Sequence, residues 1–200
     1  MESYALIICN LQNDFCEGGI YPIEKSLSVV PTINRIRDYF KIVIFIKKWH
    51  PINHCSFNNN GGNWLPNCIQ NTIGANINSG IEIKDTDYVI HIGTLSLYES
   101  SSGFYNAKTL DEKTNLHSIL QKNKISNLYF CGLFMEEFIF SSIYDALMYG
   151  YKCFLIKDIS LAHNKDKEEK AISFFLMNNV TFINSTHFYK KNLITMDSSS

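Results

Sequence analysis

The sequence predicts an α/β domain: a doubly wound, mainly parallel sheet of about six strands flanked by helices. Three observations carry this. Short apolar runs recur at 4–9, 42–46, 88–92, 128–131, 151–156 and 180–183. Most are continuous rather than alternating, the pattern of strands buried on both faces. Between them lie segments with apolar residues at helical spacing, and such alternation puts ligands at the C-terminal ends of the strands.

The first strand starts almost at the N-terminus, without a basic and apolar leader before it. Val29, Ile33, Ile36 and Phe40 then form a helical stripe, with Ser26 or Ser28 as candidate caps. After the second strand comes a polar stretch, 51–85, rich in Asn and Gly. A connection that long inside one domain reads as a site-forming excursion. Its Asn-Asn-Asn-Gly-Gly segment, 58–62, reads equally well as a low-complexity insertion. Leu116, Ile119 and Leu120 mark a short helix. Phe138, Ile139, Ile143, Ala146 and Leu147 mark a longer one, which Gly150 should stop. Ala171, Phe174, Phe175 and Met177 mark the last. One domain over 1–191 accounts for all of this, leaving 192–200 as an expected frayed tail ending in three serines.

Composition excludes several function classes. A net charge of -1 offers no electrostatic grip on nucleic acid or on an anionic membrane. No apolar run approaches the roughly 20 residues needed to cross a bilayer. The six cysteines show no paired spacing, and Cys9, Cys131 and Cys153 fall in strand-like runs as small hydrophobes. That points to a reducing compartment, and the expectation is a cytoplasmic protein.

Four segments, in order, resemble the nicotinamidase and isochorismatase-like hydrolases. Ala5-Leu6-Ile7-Ile8-Cys9-Asn10-Leu11-Gln12-Asn13-Asp14-Phe15-Cys16-Glu17-Gly18-Gly19 is similar to the family's opening strand and turn. Trp49-His50-Pro51-Ile52-Asn53-His54-Cys55-Ser56-Phe57 is similar to its metal-binding loop. Trp64-Leu65-Pro66-Asn67-Cys68 leads into Gly74-Ala75 as a third match, and Gly132-Leu133 opens a helix ending at Gly150 as the fourth. Ser102-Gly103-Phe104 adds a shorter one. The resemblance covers nearly the whole chain. It implies an amidase turning nicotinamide into nicotinate and ammonia. A Cys nucleophile at a helix N-terminus, an Asp proton acceptor and a Lys would do the chemistry. Backbone N–H groups beside a cis peptide would hold the oxyanion, and a divalent metal on one Asp and His residues would bind the substrate ring.

The departures concern those very residues. The position of the Asp is Asn10, that of the Lys is Ile92, and that of the nucleophile is Phe138. An amide cannot accept the thiol proton at neutral pH, and losing one member of a cooperating triad already disables the unit. Cys9 and Cys131 read as core thiols, His91 as a packed imidazole, and Glu136 and Glu137 as carboxylates at a helix start. In the metal loop His50 and His54 remain, but Lys48 replaces the Asp and Asn67 replaces a His. A protonated lysine has no lone pair and repels a cation, and zinc sites normally need three good protein ligands. No cofactor is therefore expected, with residual zinc, iron or manganese at His50 and His54 as the alternative. Lys48 itself could occupy the cation's space. Phe15 and Trp64 match positions that wall the family's pocket, and both also read as plain core packing.

Three functions follow from these residues. The first is a catalytically inactive nicotinamidase-like protein that binds a small aromatic ligand or regulates a partner. The second is an amidohydrolase with a relocated mechanism, and the third a structural homologue. A homo-oligomer, or a hetero-oligomer with an active relative, is the expected assembly.

Overall fold

A computed structural model describes residues 3–189, so the tail at 192–200 lies outside the described residues. Strands β1 (Tyr4–Cys9), β2 (Ile42–Lys48), β3 (Tyr88–Ile92), β6 (Asn127–Leu133), β7 (Lys152–Leu161) and β8 (Thr181–Ile183) form the sheet. Its order is β3-β2-β1-β6-β7-β8, and every neighbouring pair is parallel. The remaining strands, β4 (Tyr105–Ala107) and β5 (Glu112–Lys113), make a small antiparallel pair that the sequence pattern did not predict. The fifth sheet strand runs past the predicted 151–156, with an irregularity in its pairing to β6.

β1 is central because its side chains are apolar on both faces. Leu6, Ile7 and Ile8 are at most 1% exposed, and burying such a side chain contributes about 1.5–3 kcal/mol. β6 pairs with it as Cys9 against Gly132. Gly132 has φ 121, and a Cβ there would run into the Cys9 backbone. Only glycine permits so close an approach.

Helix α1 (Val30–Arg37) has a proline in its first turn and buries Ile33 and Ile36. No side chain caps it: Ser26 accepts from the Glu17 N–H and Ser28 donates to the Lys25 carbonyl, so neither expected cap serves. α2 (Leu116–Lys122) is short. α3 (Phe140–Met148) follows a π-helical turn, Met135–Ile139, and stops before Gly150, which adopts φ 81. α4 (Lys165–Met177) is capped by Asn164, whose side chain accepts from the Lys167 N–H. Its buried residues are Ala171 and Phe175, whereas Met177, expected on the same stripe, is 76% exposed.

The long segment 51–85 is folded onto the turn after β1 by backbone bonds. Asn13 N–H donates to the Asn76 carbonyl and Asp14 N–H to that of Gly74, each at 3.0 Å. Farther along, Arg37 holds the Glu82 carbonyl and pairs with Asp87 at 2.7 Å, both side chains at most 3% exposed. Breaking such a buried pair costs about 3–5 kcal/mol, so this clamp is a main anchor for the segment's end. The chain reverses its direction of winding between β1 and β6. Their C-terminal ends open on the crevice where a doubly wound sheet takes its ligand.

Candidate functional site

A cavity of about 180 Å³ lies at that crevice. Its size suits a one-ring ligand, since drug-sized pockets start at roughly 300 Å³. Asn10, Phe15, Phe134 and Phe138 line one end, and Lys48, His50, Asn67 and Glu99 line the other, with Trp64, Ser56, Ser100, Ser101 and Glu137 between or around them.

Asn10 stands just past β1 with φ 56, a left-handed conformation that Asn tolerates better than most residues. Its side chain is 2% exposed, and its Oδ1 is buried without a partner. Phe138 sits in the π-helical turn, 3% exposed, with its N–H on the Phe134 carbonyl at 2.9 Å. Phe134 has φ 57 and packs edge-on against Phe15 at 4.9 Å. Ile92 ends β3, fully buried, and is absent from the cavity wall. Of the three positions to which the resemblance assigns the triad, Asn10 and Phe138 are thus brought together on the cavity, and Ile92 is core. No cis peptide occurs among the described residues, unlike what the resemblance implied beside the nucleophile.

None of the six cysteines lines the cavity. Burial pushes the thiols of Cys9, Cys68 and Cys131 well up, and those of Cys16 and Cys153 to about 11 and about 12. Thiolate chemistry at neutral pH needs the opposite shift.

The other end holds a cluster. Ligand atoms of His50, His54 and Glu99 lie within 4.8 Å of one another. His50 follows β2 and is aimed by its Nδ1–H, which donates to the Asn67 carbonyl at 3.0 Å. Its Nε2 is buried and has no partner. Gly93, at φ 63, makes room for the ring, because a Cβ there would stand 2.7 Å from His50 Cδ2. His54 stacks on His50 at 4.2 Å. His54 Nε2 faces the Tyr98 carbonyl at 3.1 Å, and its Nδ1 faces Ser56 Oγ at 2.7 Å and the Ser56 N–H. The consistent tautomer carries the proton on Nε2. Burial and then the Lys48 charge push His50 down to about 3, and burial also lowers His54, so both rings are neutral at pH 7.

Lys48 Nζ bonds Glu99 Oε1 at 2.6 Å and the Ser100 carbonyl. Burial alone would raise the Glu99 carboxyl, but the charge of the Lys48 ammonium and its hydrogen bond outweigh it and hold it below its usual value. Asn67 turns its amide to the Leu65 carbonyl and serves His50 through its backbone. Two neutral imidazoles and a carboxylate form a chemically competent zinc set. They do not fit a divalent ion as they stand, because an ammonium sits on one carboxylate oxygen and His54 Nε2 carries its proton toward Tyr98.

Glu99 was not among the residues singled out in the sequence. The signal was there in Tyr98-Glu99-Ser100, just before Ser102-Gly103-Phe104, and in the need of a buried Lys48 for a counter-charge. His91 stacks on Trp49 at 4.9 Å, the packed role expected of it, and Lys47 caps the same indole at 4.1 Å. Glu136 and Glu137 stand in the first turn of the helical segment after β6, as expected, and Glu136 has a further role. Its Oε1 accepts from the His163 and Asn164 N–H groups at 2.9 and 2.8 Å, so it ties down the turn before α4. Glu137 lines the cavity and pairs with Lys167 at 2.5 Å. Trp64 meets Tyr21 edge-on at 5.0 Å and stays 39% exposed, a wall residue more than a core one.

A parallel α/β domain with a ligand cavity at its switch point and a His-His-Glu cluster on the rim defines the class. Residues 4–186 match the isochorismatase domain, and the chain belongs to that family. It is 31% identical over 196 residues to the nicotinamidase of Escherichia coli (strain K12), covering 88% of this chain and 92% of that one. Pyrazinamidase of Pyrococcus horikoshii in complex with zinc superposes with a TM-score of 0.83 at 29% identity, over 91% of this chain and 99% of that one. PnC1 from L. infantum in complex with nicotinate gives 0.86 at 26% identity, over 92% and 93%. Within the family the chain is nicotinamidase-like. Among the described residues, no helix is long and apolar enough to cross a membrane.

Proposed function

We propose that this chain is a nicotinamidase-like protein without amidase turnover, whose cavity binds a small planar ligand and signals to a partner. One observation carries the reading: the Phe138 ring lines the cavity where the family resemblance puts the nucleophile, and no cysteine lines it. Asn10 in the proton acceptor's position supports it. The aromatic residues Phe15, Trp64, Phe134 and Phe138 suit a flat ring. Lys48 gives N–H groups to Glu99 and Ser100, and an ammonium has a third to offer a ligand acceptor such as a ring nitrogen or carboxylate. The partner is a second copy or an active relative, and the setting is the cytoplasm.

A second reading, an active amidohydrolase on nicotinamide, is favoured by the likeness to the E. coli nicotinamidase. Its chemistry would have to use the Ser56 hydroxyl, which lines the cavity 2.7 Å from His54 Nδ1, with that neutral imidazole as base. Ammonia release from nicotinamide at high protein concentration, with and without divalent metal, separates the two. The binding reading expects background release, together with calorimetric binding of nicotinamide or nicotinate. Turnover abolished by Ser56→Ala or His54→Ala would establish the second reading instead.

A further inference from the structure

We infer that Lys48 is a built-in replacement for a divalent cation: tied to Glu99, its ammonium takes the carboxylate that His50 and His54 would need to hold a metal, and keeps the cluster metal-free. The inference concerns the cluster alone and stands whether or not the cavity turns over a substrate.

The position of Lys48 is fixed from its backbone outward. Gln12 is fully buried and its amide clamps Lys48 from both sides. Gln12 Oε1 accepts from the Lys48 N–H at 2.7 Å, and Gln12 Nε2 donates to the Lys48 carbonyl at 2.8 Å. The same Nε2 donates to the Ala75 carbonyl at 2.9 Å, which ties this edge of β2 to the long segment. From there the side chain, 15% exposed, reaches Glu99 Oε1 and the Ser100 carbonyl. Two protein oxygens thus hold the ammonium at the rim of the trio.

Charge and lone pairs agree with this placement. One ammonium, one carboxylate and two neutral imidazoles sum to zero, so the cluster calls for no outside cation. A divalent ion beside the ammonium would be repelled, and one oxygen of its best hard ligand is already engaged. The His54 proton, directed at Tyr98, removes one of the remaining donors. What stays behind is the unpartnered Nε2 of His50, buried and available. A latent ligand of this kind, next to a second imidazole and a carboxylate, marks a cation site held closed by one residue.

The test is metal binding by the full chain. Wild type, Lys48→Met, Lys48→Asp and Lys48→Asp with His50→Ala are stripped with chelator, dialysed against zinc and read by elemental analysis. Circular dichroism and thermal unfolding confirm that each is folded. Wild type should retain substoichiometric zinc. Lys48→Asp should retain one zinc per chain, and His50→Ala should remove it. Lys48→Met takes away the charge without adding a ligand and should bind zinc at least about ten-fold more tightly than wild type, a difference of 1.4 kcal/mol. Should Lys48→Asp fail to fold, the Met variant decides alone. A wild-type zinc lost on changing His50, or folded Lys48 variants that gain no affinity, would overturn the inference.

Discussion

At the end of the cavity formed by β1 and β6, Phe138 and Phe134 line the wall with Phe15, and Asn10 stands beside them with an unanswered amide oxygen. At the end above β2, Lys48 and Glu99 meet at 2.6 Å beside two imidazoles that keep their places. The two ends are held by different physics. The first is held by volume, with the Phe138 ring part of the packing. The second is held by charge, with the Lys48 ammonium answered by the Glu99 carboxylate. Changes made through packing resist reversal, because removing the ring leaves a hole. Changes made through charge need only one residue to be undone.

The largest test of that contrast restores the first end. Phe138→Cys removes most of a ring that is 3% exposed and should cost about 3 kcal/mol. Ile92→Lys places an ammonium at a position that is 0% exposed and should cost about 3 kcal/mol more unless it finds a carboxylate. With Asn10→Asp added, the triple variant should unfold at clearly lower urea and release no ammonia from nicotinamide. Family-like turnover in a stable triple variant would erase the distinction between the two ends.

Acid should reveal the second end. The His50 imidazole is held neutral down to about 3 in the folded chain, while in the unfolded chain it protonates near 6.5. Its contribution is fully present above 6.5 and is lost as the pH falls toward 3, a loss on the order of 5 kcal/mol. Glu99, held below its usual value, adds a loss in the same direction as the pH falls through its own titration. Urea denaturation from pH 7 to 4 should show this slope, and His50→Gln should flatten it. An unchanged slope in that variant would place the acid sensitivity elsewhere.

Glu99→Gln is the smallest effect. The Glu99 side chain is 46% exposed, and water screens such pairs to about 1 kcal/mol or less. Denaturation midpoints in low and high salt should nearly coincide for the variant and differ slightly for wild type. A loss several times larger would show that the pair is shielded from solvent and that the second end, too, is locked by its surroundings.

Much of this molecule is written locally in the chain. Continuous apolar runs specified strands buried on both faces, and all six appear in one parallel sheet. Gly150 ended its helix as expected. Asn10, Lys48, Asn67, Ile92 and Phe138 could be singled out in the sequence because motifs fix their neighbours at short range. Elements without a strong period escaped, among them the pair of β4 and β5 and the absence of any serine cap on α1.

Tertiary structure decided the partners. Lys48 and Glu99 are 51 positions apart, and Glu136 and His163 are 27 apart. Periodicity and spacing describe only what a residue sees within a few turns or along one strand. Which charge answers which, and which ring faces a cavity rather than the core, depends on contacts between distant segments. The sequence by itself therefore determined the sheet and the family. Only the folded chain determined that a lysine and a glutamate meet beside the two imidazoles, because that pairing exists only once the segment carrying Glu99 is packed over the end of β2.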